Sequence, residues 1–353
     1  MTTTRRLAAV AGAATLGLAT LLASSPATAA EDTGLFGSQD PTFDGVYRQG
    51  LAITGLTAVD RRVPSAAVRW LLDQQCGNGS FMSYRAESQK CLKPDPVNFV
   101  GQDTNATALA AMALRAVDRT SEARSAIRYL RRVQNPDGGF PYFAGEPSDS
   151  NSTGLVLAAL SGARQNASLR EQTKQARKYL KQVQLRCDAT AKDRGLLQYQ
   201  AGIGTADVLG SAQGALGQVT TLPAGQRPST GTAYTCRDGS PVAGTNGLPG
   251  LMHALARGLK TNQGLLPSSF GSGPDISASA TATITLAAAE YKKSVVRTAV
   301  SALKRSTAGY VTTDGETNAG ATGTLLLTAA ATGANPTTFG GVNLVATLKA
   351  SRR

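Results

Sequence analysis

The chain of 353 residues is poor in the side chains on which many enzyme sites and metal centres depend. It contains one histidine and four cysteines, and aromatic residues make up only 5% of it. Zinc sites are usually built from several Cys and His side chains at short spacings, such as C-x-x-C. The sequence has no C-x-x-C pair, and its histidine, His253, stands alone on an amphipathic segment. No metal site and no bound cofactor are therefore expected.

Acidic residues are also scarce, because 23 Asp and Glu stand against 36 Lys and Arg and give a formal charge of +13. A basic surface of this kind would suit an acidic envelope polymer or anionic lipid, although a solvated basic surface is the simpler interpretation. The basic residues are not interleaved with aromatic ones, as they are on nucleic-acid-binding surfaces. No nucleic-acid partner is expected.

The N-terminal 29 residues have the pattern of a secretory signal peptide. Arg5 and Arg6 form a basic head, an Ala/Leu-rich run follows, and the small residues at 27–29 predict cleavage after Ala29 or one residue later. The arginine pair leaves both the general and the twin-arginine export routes open. No later stretch is apolar over a length that would span a bilayer. We expect an exported, extracytoplasmic protein with one domain over residues 30–353.

The four cysteines, in an oxidising compartment, favour two disulfides over metal ligation. Four cysteines allow three pairings. Cys76 and Cys91 flank a single polar loop, which favours their pairing and leaves Cys187 for Cys236.

Pairs of helical segments recur along the chain. Residues 103–117 predict a nearly all-apolar helix that Asp103 or Thr104 would cap. Residues 121–134 predict an amphipathic helix with arginines on its polar face, and the N-P-D-G-G-F turn ends it. The same unit occurs six times, with inner-type segments at 43–59, 103–117, 149–163, 206–220, 276–291 and 317–331.

Six pairs of one buried and one amphipathic helix predict an all-α ring, with six apolar helices inside and six amphipathic helices outside. A ring also buries both ends of what would otherwise be an open solenoid. An open superhelix is the structural alternative, but it does not explain why the inner helix is apolar on all sides. In the third unit, Ser168 and Glu171 have the spacing of a capping box.

The turn Gln134–Phe140 resembles the Q-x-x-D-G-[GS]-[FW] turn of the prenyltransferase and squalene-oxidase repeat, and Gln75–Phe81 is similar with Asn in place of Asp. The resemblance covers most of residues 30–353 and implies an α/α toroid of the terpenoid cyclase type. Several unrelated activities share that fold. The fold alone therefore does not indicate the function.

The motifs of the enzymes in this group are missing from the sequence. There is no D-x-D-D acid of squalene-hopene-type cyclases, no D-D-x-x-D diphosphate motif and no G-C-G-E-Q thioester motif. The inner segments carry almost no aromatic residues, which cyclases use to stabilise carbocations. The zinc ligands of protein prenyltransferases are not matched, since Cys236-Arg237-Asp238 has the wrong order and spacing. These absences favour a non-catalytic protein.

The start of the first inner segment, from Tyr47 to Ile53, and the Asp103-Thr104 pair resemble inner-helix starts of the vitamin B12 carriers intrinsic factor and transcobalamin. In those carriers, polar groups at such positions line the mouth of the toroid and bind the corrinoid. The resemblance implies ligand contacts by a set of polar residues at inner-helix starts: Gln49, Asp103, Thr104, Asp149, Asn151, Gln213 and Asn318. Each would also serve as an ordinary helix cap or packing residue.

We therefore expect an exported, non-catalytic toroid that binds a small molecule, cobalamin being one candidate, and that serves uptake. The carriers have a second domain that covers the ligand, so a separate lid or transporter protein would have to supply that part. Two alternatives stay open: a cyclase- or prenyltransferase-like enzyme acting on an isoprenoid or glycan, and a module that interacts with the cell envelope.

Overall fold

The computed structural model describes residues 33–219, 229–269 and 271–353. The expected signal peptide lies outside the described residues, as does part of the loop that follows the fourth inner helix. Residues Asp32–Arg353 form one compact unit. Twelve helices occur among the described residues, and they alternate between an inner and an outer layer.

The inner helices are almost entirely buried, as their apolar composition predicts. They are α1 (Gly45–Ala58), α3 (Thr104–Ala116), α5 (Ser150–Ser161), α7 (Val208–Val219), α9 (Ile276–Ala288) and α11 (Ala319–Thr332). The outer helices are α2 (Ser65–Asp73), α4 (Thr120–Arg132), α6 (Ala167–Gln182), α8 (Leu248–Thr261), α10 (Lys293–Val311) and α12 (Leu344–Ala350).

Each inner helix packs against the next inner helix, and α11 packs against α1, so that the six form a ring. Each outer helix packs on the inner helix that precedes it in the chain. This arrangement confirms the predicted α/α toroid. Residues 34–37 run beside the last residues of the chain: the N–H of Gly34 donates to the carbonyl of Arg353, and the N–H of Arg353 donates to that of Leu35.

Small residues let the inner helices approach closely. A Cβ atom added to Gly323 of α11 would lie 2.4 Å from the carbonyl oxygen of Leu51 on α1, and one added to Gly55 would lie 2.6 Å from the carbonyl oxygen of Gly323. Gly154 and Gly217 bring α5 and α7 together in the same way. The glycines cost helix propensity, and they are retained where two backbones touch.

Short β-ladders connect each outer helix to the next inner helix or brace a loop. Four antiparallel pairs of two-residue strands occur in the described residues: β1 (Phe81–Met82) with β2 (Gln102–Asp103), β3 (Cys236–Arg237) with β4 (Ser240–Pro241), β5 (Leu266–Pro267) with β6 (Pro274–Asp275), and β7 (Thr312–Thr313) with β8 (Glu316–Thr317). Single bridges replace the ladder in two repeats, where Phe140 pairs with Asp149 and Leu197 pairs with Asp207.

The glutamine of the repeated turn joins neighbouring outer helices. Nε2 of Gln134 donates to the carbonyl of Gly138 at 2.8 Å and to that of Gln172, on α6, at 3.0 Å. Gln75 does the same with Gly79 and with Glu122 of α4. The turn motif that carries the family resemblance therefore holds successive repeats together.

Both predicted disulfides are present, Cys76–Cys91 and Cys187–Cys236. Such bonds persist in oxidising compartments. Among the described residues, none of the helices combines the length and the apolar character that crossing a bilayer requires.

The predicted capping box of the third repeat is wrong. α6 begins at Ala167, and Asn166 is its N-cap, with Oδ1 accepting from the N–H of Leu169 at 2.9 Å. Ser168 lies inside the helix and accepts a hydrogen bond from Arg131 instead. Asn, Asp and Ser cap equally well, so spacing alone did not identify the cap.

The contact between α1 and α11 predicts the effect of adding one methyl group. Gly323→Ala would place a Cβ against the backbone of α1, and we expect the free energy of unfolding to fall by about 1–3 kcal/mol. Gly309→Ala is the matched control, because Gly309 lies on α10 with no atom within 4 Å of an added Cβ. The control should raise stability by about 0.5–1 kcal/mol. Urea unfolding of both variants measures this, and equal effects would contradict the close contact.

Candidate functional site at the N-terminal rim of the inner helices

Every inner helix is preceded by an Asp or Asn, and these residues lie on one rim of the ring: Asp44, Asp103, Asp149, Asp207, Asp275 and Asn318. In four repeats the side-chain oxygen accepts from the N–H three residues later, on Ala106, Ser152, Ala278 or Ala321, at 2.6–2.9 Å. Asp44 differs, because it pairs with Arg48 at 2.7 Å and makes no side-chain cap.

In several repeats, a Ser or Thr hydroxyl in the first turn of the inner helix also bonds the backbone on both sides of the helix start. Oγ1 of Thr107 donates to the carbonyl of Asp103 at 2.6 Å and accepts from the N–H of Phe81 at 2.9 Å. Ser211 and Ser279 make the same two bonds in their own repeats. Each helix start is thus fixed to the turn that precedes it, which brings the N-terminal residues of the inner helices to one level.

A cavity of about 330 Å³ opens at this rim. Its lining includes residues from the first two turns of α1, α3, α5, α7 and α9, together with Phe43, Ser83 and Tyr142 from the connecting loops. The two carboxyl groups among the lining residues belong to Asp44 and Asp103, and no Lys or Arg is among them.

A chain of hydrogen-bonded side chains crosses the floor of the cavity. Nδ2 of Asn105 donates to Oδ1 of Asn151 at 2.9 Å, Nδ2 of Asn151 donates to Oε1 of Gln213, and Nε2 of Gln213 donates to the hydroxyl of Tyr47 at 3.2 Å. These residues come from α3, α5, α7 and α1. Oδ1 of Asn105 is buried and accepts no hydrogen bond from any described residue. We call the hydrogen-bonded side chains of Asn105, Asn151, Gln213 and Tyr47 the amide chain.

Burial dominates the electrostatics of the rim. Desolvation raises the pKa of Asp103 to about 7 in spite of hydrogen bonds from the backbone N–H of Ala106 and the hydroxyl of Ser83. The pKa of Asp149 is likewise raised to about 7 by burial, with a smaller contribution from Asp207. Near neutral pH, a substantial fraction of both carboxyl groups is therefore protonated, and each would then be a hydrogen-bond donor.

Three of the seven residues predicted to bind a ligand line this cavity: Asp103, Asn151 and Gln213. They come from three successive inner helices, as the ring arrangement implies. Asn105, two residues after the Asp103 cap, occupies the same place in its repeat as Asn151 does after Asp149.

The other four predicted residues do not line it. Gln49 is fully buried, and its amide bonds the backbone at Gly34, Phe36 and Ala67, so it anchors the N-terminal segment. Oγ1 of Thr104 donates to the carbonyl of Pro141 at 2.7 Å.

Asp149 and Asn318 cap α5 and α11. Oδ2 of Asp149 is buried without a partner among the described residues. These two residues shape the rim without facing the cavity.

Most of the other lining residues were not predicted from the sequence, among them Tyr47, Ser83, Asn105 and Tyr142. The repeated D-[ST]-N triplet, at 103–105 and 149–151, was the signal that would have identified Asn105. Ser83 and Tyr142 lie in loops, and nothing in their local sequence distinguishes them.

Exposed apolar side chains border the cavity. Phe43 is 79% exposed and Phe99 is 62% exposed, and the ring of Phe99 stacks on that of Tyr142 with 5.0 Å between centroids. Phe99 also has a φ of +53°, which is strained for a bulky side chain. Val97 on the same loop is 93% exposed. We call Phe43 and Phe99 the apolar rim; exposed apolar patches often mark binding surfaces.

Metal ligation has no obvious place in the described part of the chain, where no three His, Cys, Asp or Glu side chains come together. The acidic caps are spread around the rim, one to a helix. The chemistry available in the cavity is therefore hydrogen bonding by amides and hydroxyls, together with the carboxyl groups of Asp44 and Asp103.

The raised pKa of Asp149 predicts a pH-dependent stability. The folded protein holds this proton more tightly than the unfolded chain does, so the stabilisation is fully present below about pH 4 and is lost as the pH rises through about 7. Asp149→Asn keeps a capping side chain and removes the buried charge. We expect its stability relative to the wild type to rise over that interval, by up to about 4 kcal/mol.

Urea unfolding at pH 4–8 measures the effect. Asp95→Asn is the control, because Asp95 is exposed and hydrogen bonds from Asn98 lower its pKa. The stability difference between that variant and the wild type should stay nearly constant over this interval, because a lowered pKa places the titration of Asp95 below it. If the stability difference between Asp149→Asn and the wild type did not change with pH, the pKa of the Asp149 carboxyl group would not be raised.

Comparison with known proteins gives similarity at the level of the fold. No protein-family model matches the chain, and no curated protein sequence matches it. A wild-type glycosidase structure has a TM-score of 0.50 at 15% identity, covering 86% of this chain and 93% of that one. An apo variant of the type II terpene cyclase MstE from Scytonema has a TM-score of 0.50 at 14% identity, covering 86% and 92%.

The ent-copalyl diphosphate synthase from Streptomyces platensis is also similar, with a TM-score of 0.50 at 14% identity, and the match covers 82% of this chain and 50% of that one. Identities this low carry the fold and nothing about the activity. The chain has the terpenoid cyclase-like α/α-toroid fold that these cyclases and the glycosidase share.

Proposed function

We propose that the protein binds a small, uncharged ligand with hydroxyl or amide groups in the cavity at the N-terminal rim and does not react with it. The amide chain carries the proposal. Three side-chain amides and a tyrosine hydroxyl, from four different helices, lie next to one another on the floor of an open cavity. Such groups donate and accept hydrogen bonds equally well, which suits a ligand with many small dipoles and no net charge.

The free acceptor of Asn105 supports this proposal. A buried polar atom without a partner costs free energy, and a ligand hydroxyl or amide N–H would remove that cost. The apolar rim beside the cavity would contact a less polar part of the same ligand. A sugar, with hydroxyl groups on its edge and apolar C–H faces, has this combination.

The size of the cavity favours a sugar over a corrinoid. At about 330 Å³ it is near the lower limit for small-molecule sites. A corrinoid is too large to be enclosed and would have to lie across the mouth, against Phe43 and Phe99. Cobalamin is therefore titrated as the alternative candidate ligand.

Export fits the same proposal. The signal-like N-terminal sequence and the two disulfides support a protein that works outside the cytoplasm. The mouth is open in the described structure, and the exposed Phe43 and Phe99 beside it would suit contact with a separate lid or transporter protein.

A second candidate is acid catalysis by Asp103. Its carboxyl group lines the cavity with a pKa of about 7, so a fraction is protonated and available to protonate an alkene or a glycosidic oxygen. The fold shared with terpene cyclases and a glycosidase makes such chemistry worth testing. The missing D-x-D-D and D-D-x-x-D motifs favour binding over catalysis.

Calorimetric titration of residues 30–353 with a panel of mono- and disaccharides, and with cobalamin, tests the binding proposal. We expect saturable binding of a sugar. Asn151→Ala breaks the amide chain on both sides and should cost about 2 kcal/mol, or ~30-fold in affinity. Asn262→Ala is the control, because Asn262 bonds only its own helix, at Gly258, in the described contacts. Equal affinity of both variants would rule out the amide chain as the binding floor.

Turnover separates the two candidates. Incubating the protein with geranylgeranyl diphosphate and with nitrophenyl glycosides should give no product if the protein only binds. Product formation that Asp103→Asn abolishes, with ligand affinity retained, would establish catalysis by Asp103 instead. The Asn side chain keeps the helix cap, so a folding defect would not imitate that result.

A further inference from the structure

A second cavity lies near the opposite end of the inner helices and has a different chemistry. It encloses about 300 Å³ between the last turns of α3, the outer helix α4 and the loop that joins α5 to α6. Five of its lining residues are arginines: Arg115, Arg124, Arg128, Arg131 and Arg164. None of its lining residues is Asp or Glu. We call it the arginine cleft.

The sequence builds the cleft from two elements of regular spacing. Arg124, Arg128 and Arg131 follow one another at intervals of four and three on α4, so they share one helix face. Arg115 is in the last turn of α3, and its guanidinium lies on Gly162. A Cβ at Gly162 would lie 2.1 Å from Nη1 of Arg115, so a side chain there would require the Arg115 guanidinium to move.

Neutral groups hold several of the guanidinium groups in place. Arg131 donates to Oε1 of Gln172 at 2.6 Å and to Oγ of Ser168 at 2.8 Å. Arg128 donates to Oγ of Ser125 at 2.7 Å. These bonds orient the side chains and leave their charge in place. Several like charges around one cleft repel one another, and a bound anion would relieve that repulsion.

The floor of the cleft is apolar. Ala111, Ala123, Ile127 and Leu169 lie among the arginines. Ala111 and Leu169 are buried, and Ile127 packs against the core. The site therefore combines a strongly cationic edge with a small apolar base, which suits an anion that carries a hydrocarbon portion.

We propose that the arginine cleft binds a phosphate group with a short apolar substituent. A phosphate monoester presents several acceptor oxygens and up to two charges, so several arginines can bond it at once, each with two parallel N–H donors. A carboxylate would leave most of the five unused. The arginine cleft shares no lining residue with the cavity at the N-terminal rim, so the two sites can be tested separately.

Hexyl phosphate tests the site by calorimetric titration of residues 30–353 at low salt. We expect one saturable site, with an affinity about 5-fold or more above that of inorganic phosphate because of the apolar floor. Arg124→Gln with Arg128→Gln should weaken binding by about 10-fold or more. The matched control is Arg297→Gln with Arg305→Gln, which removes the same charge from exposed positions on α10. The control should stay within about 2-fold.

A third variant guards against a folding defect. Arg164→Gln changes an exposed loop residue that lines the cleft, and it should also weaken binding while the urea midpoint stays that of the wild type. Failure of hexyl phosphate to saturate a site at about 1 mM would overturn the proposal. So would an equal loss in the control pair, since that result would mean general attraction to a basic surface. Equal affinity for inorganic and hexyl phosphate would overturn the role of the apolar floor.

Sedimentation with vesicles that contain phosphatidic acid distinguishes a lipid headgroup from a soluble phosphate ester. Sedimentation of the wild type with the vesicles, and loss of it in Arg124→Gln with Arg128→Gln but not in the control pair, would assign the site to a lipid headgroup. Binding of hexyl phosphate without sedimentation would assign it to a soluble phosphate ester.

Discussion

The start of each inner helix is the point on which the rest of the toroid depends. An Asp or Asn precedes the helix, and in several repeats a Ser or Thr one turn later joins that residue's carbonyl to the N–H of the preceding turn, as Thr107 does between Asp103 and Phe81. The bonds are local, yet in those repeats they set the height of the inner helix in the ring. The cavity at the rim and the amide chain exist because side chains of neighbouring helices then stand at the same level.

The two ends of the ring differ in charge because the inner helices run in the same direction. Acidic caps lie at the N-terminal ends, where helix dipoles favour negative groups, and Arg115 lies at a C-terminal end, where they favour positive ones. Burial opposes this preference at the acidic end and raises the pKa of Asp103. The mouth is thus rich in amides at one end of the ring, and near the other end Arg115 joins the arginines of α4 and of the following loop in a cationic cleft.

The sequence predicted the six helix pairs, the ring and both disulfides because those features repeat or depend on local patterns. It predicted the cavity lining less well. An inner helix buried on all sides has no polar face, so its periodicity does not show which side chain points to the mouth. Gln49 therefore seemed equivalent to Gln213, although its amide holds the N-terminal segment. The amide chain depends on the relative heights of four helices, which no single segment encodes.

The pairing of residues 34–37 with the last residues of the chain gives this fold an unusual order of assembly. The N–H of Gly37 donates to the hydroxyl oxygen of Ser351, across a sequence separation of 314 residues. α1 can pack against α11 only when the sixth repeat is present. A helical solenoid is stabilised by contacts between neighbouring repeats, and each added repeat packs on the one before it. Here the apolar edges of the first and last repeats stay uncovered until the whole circle exists. A chain whose sixth repeat has not yet packed against the first would therefore stay vulnerable to proteases and to pairing with another copy.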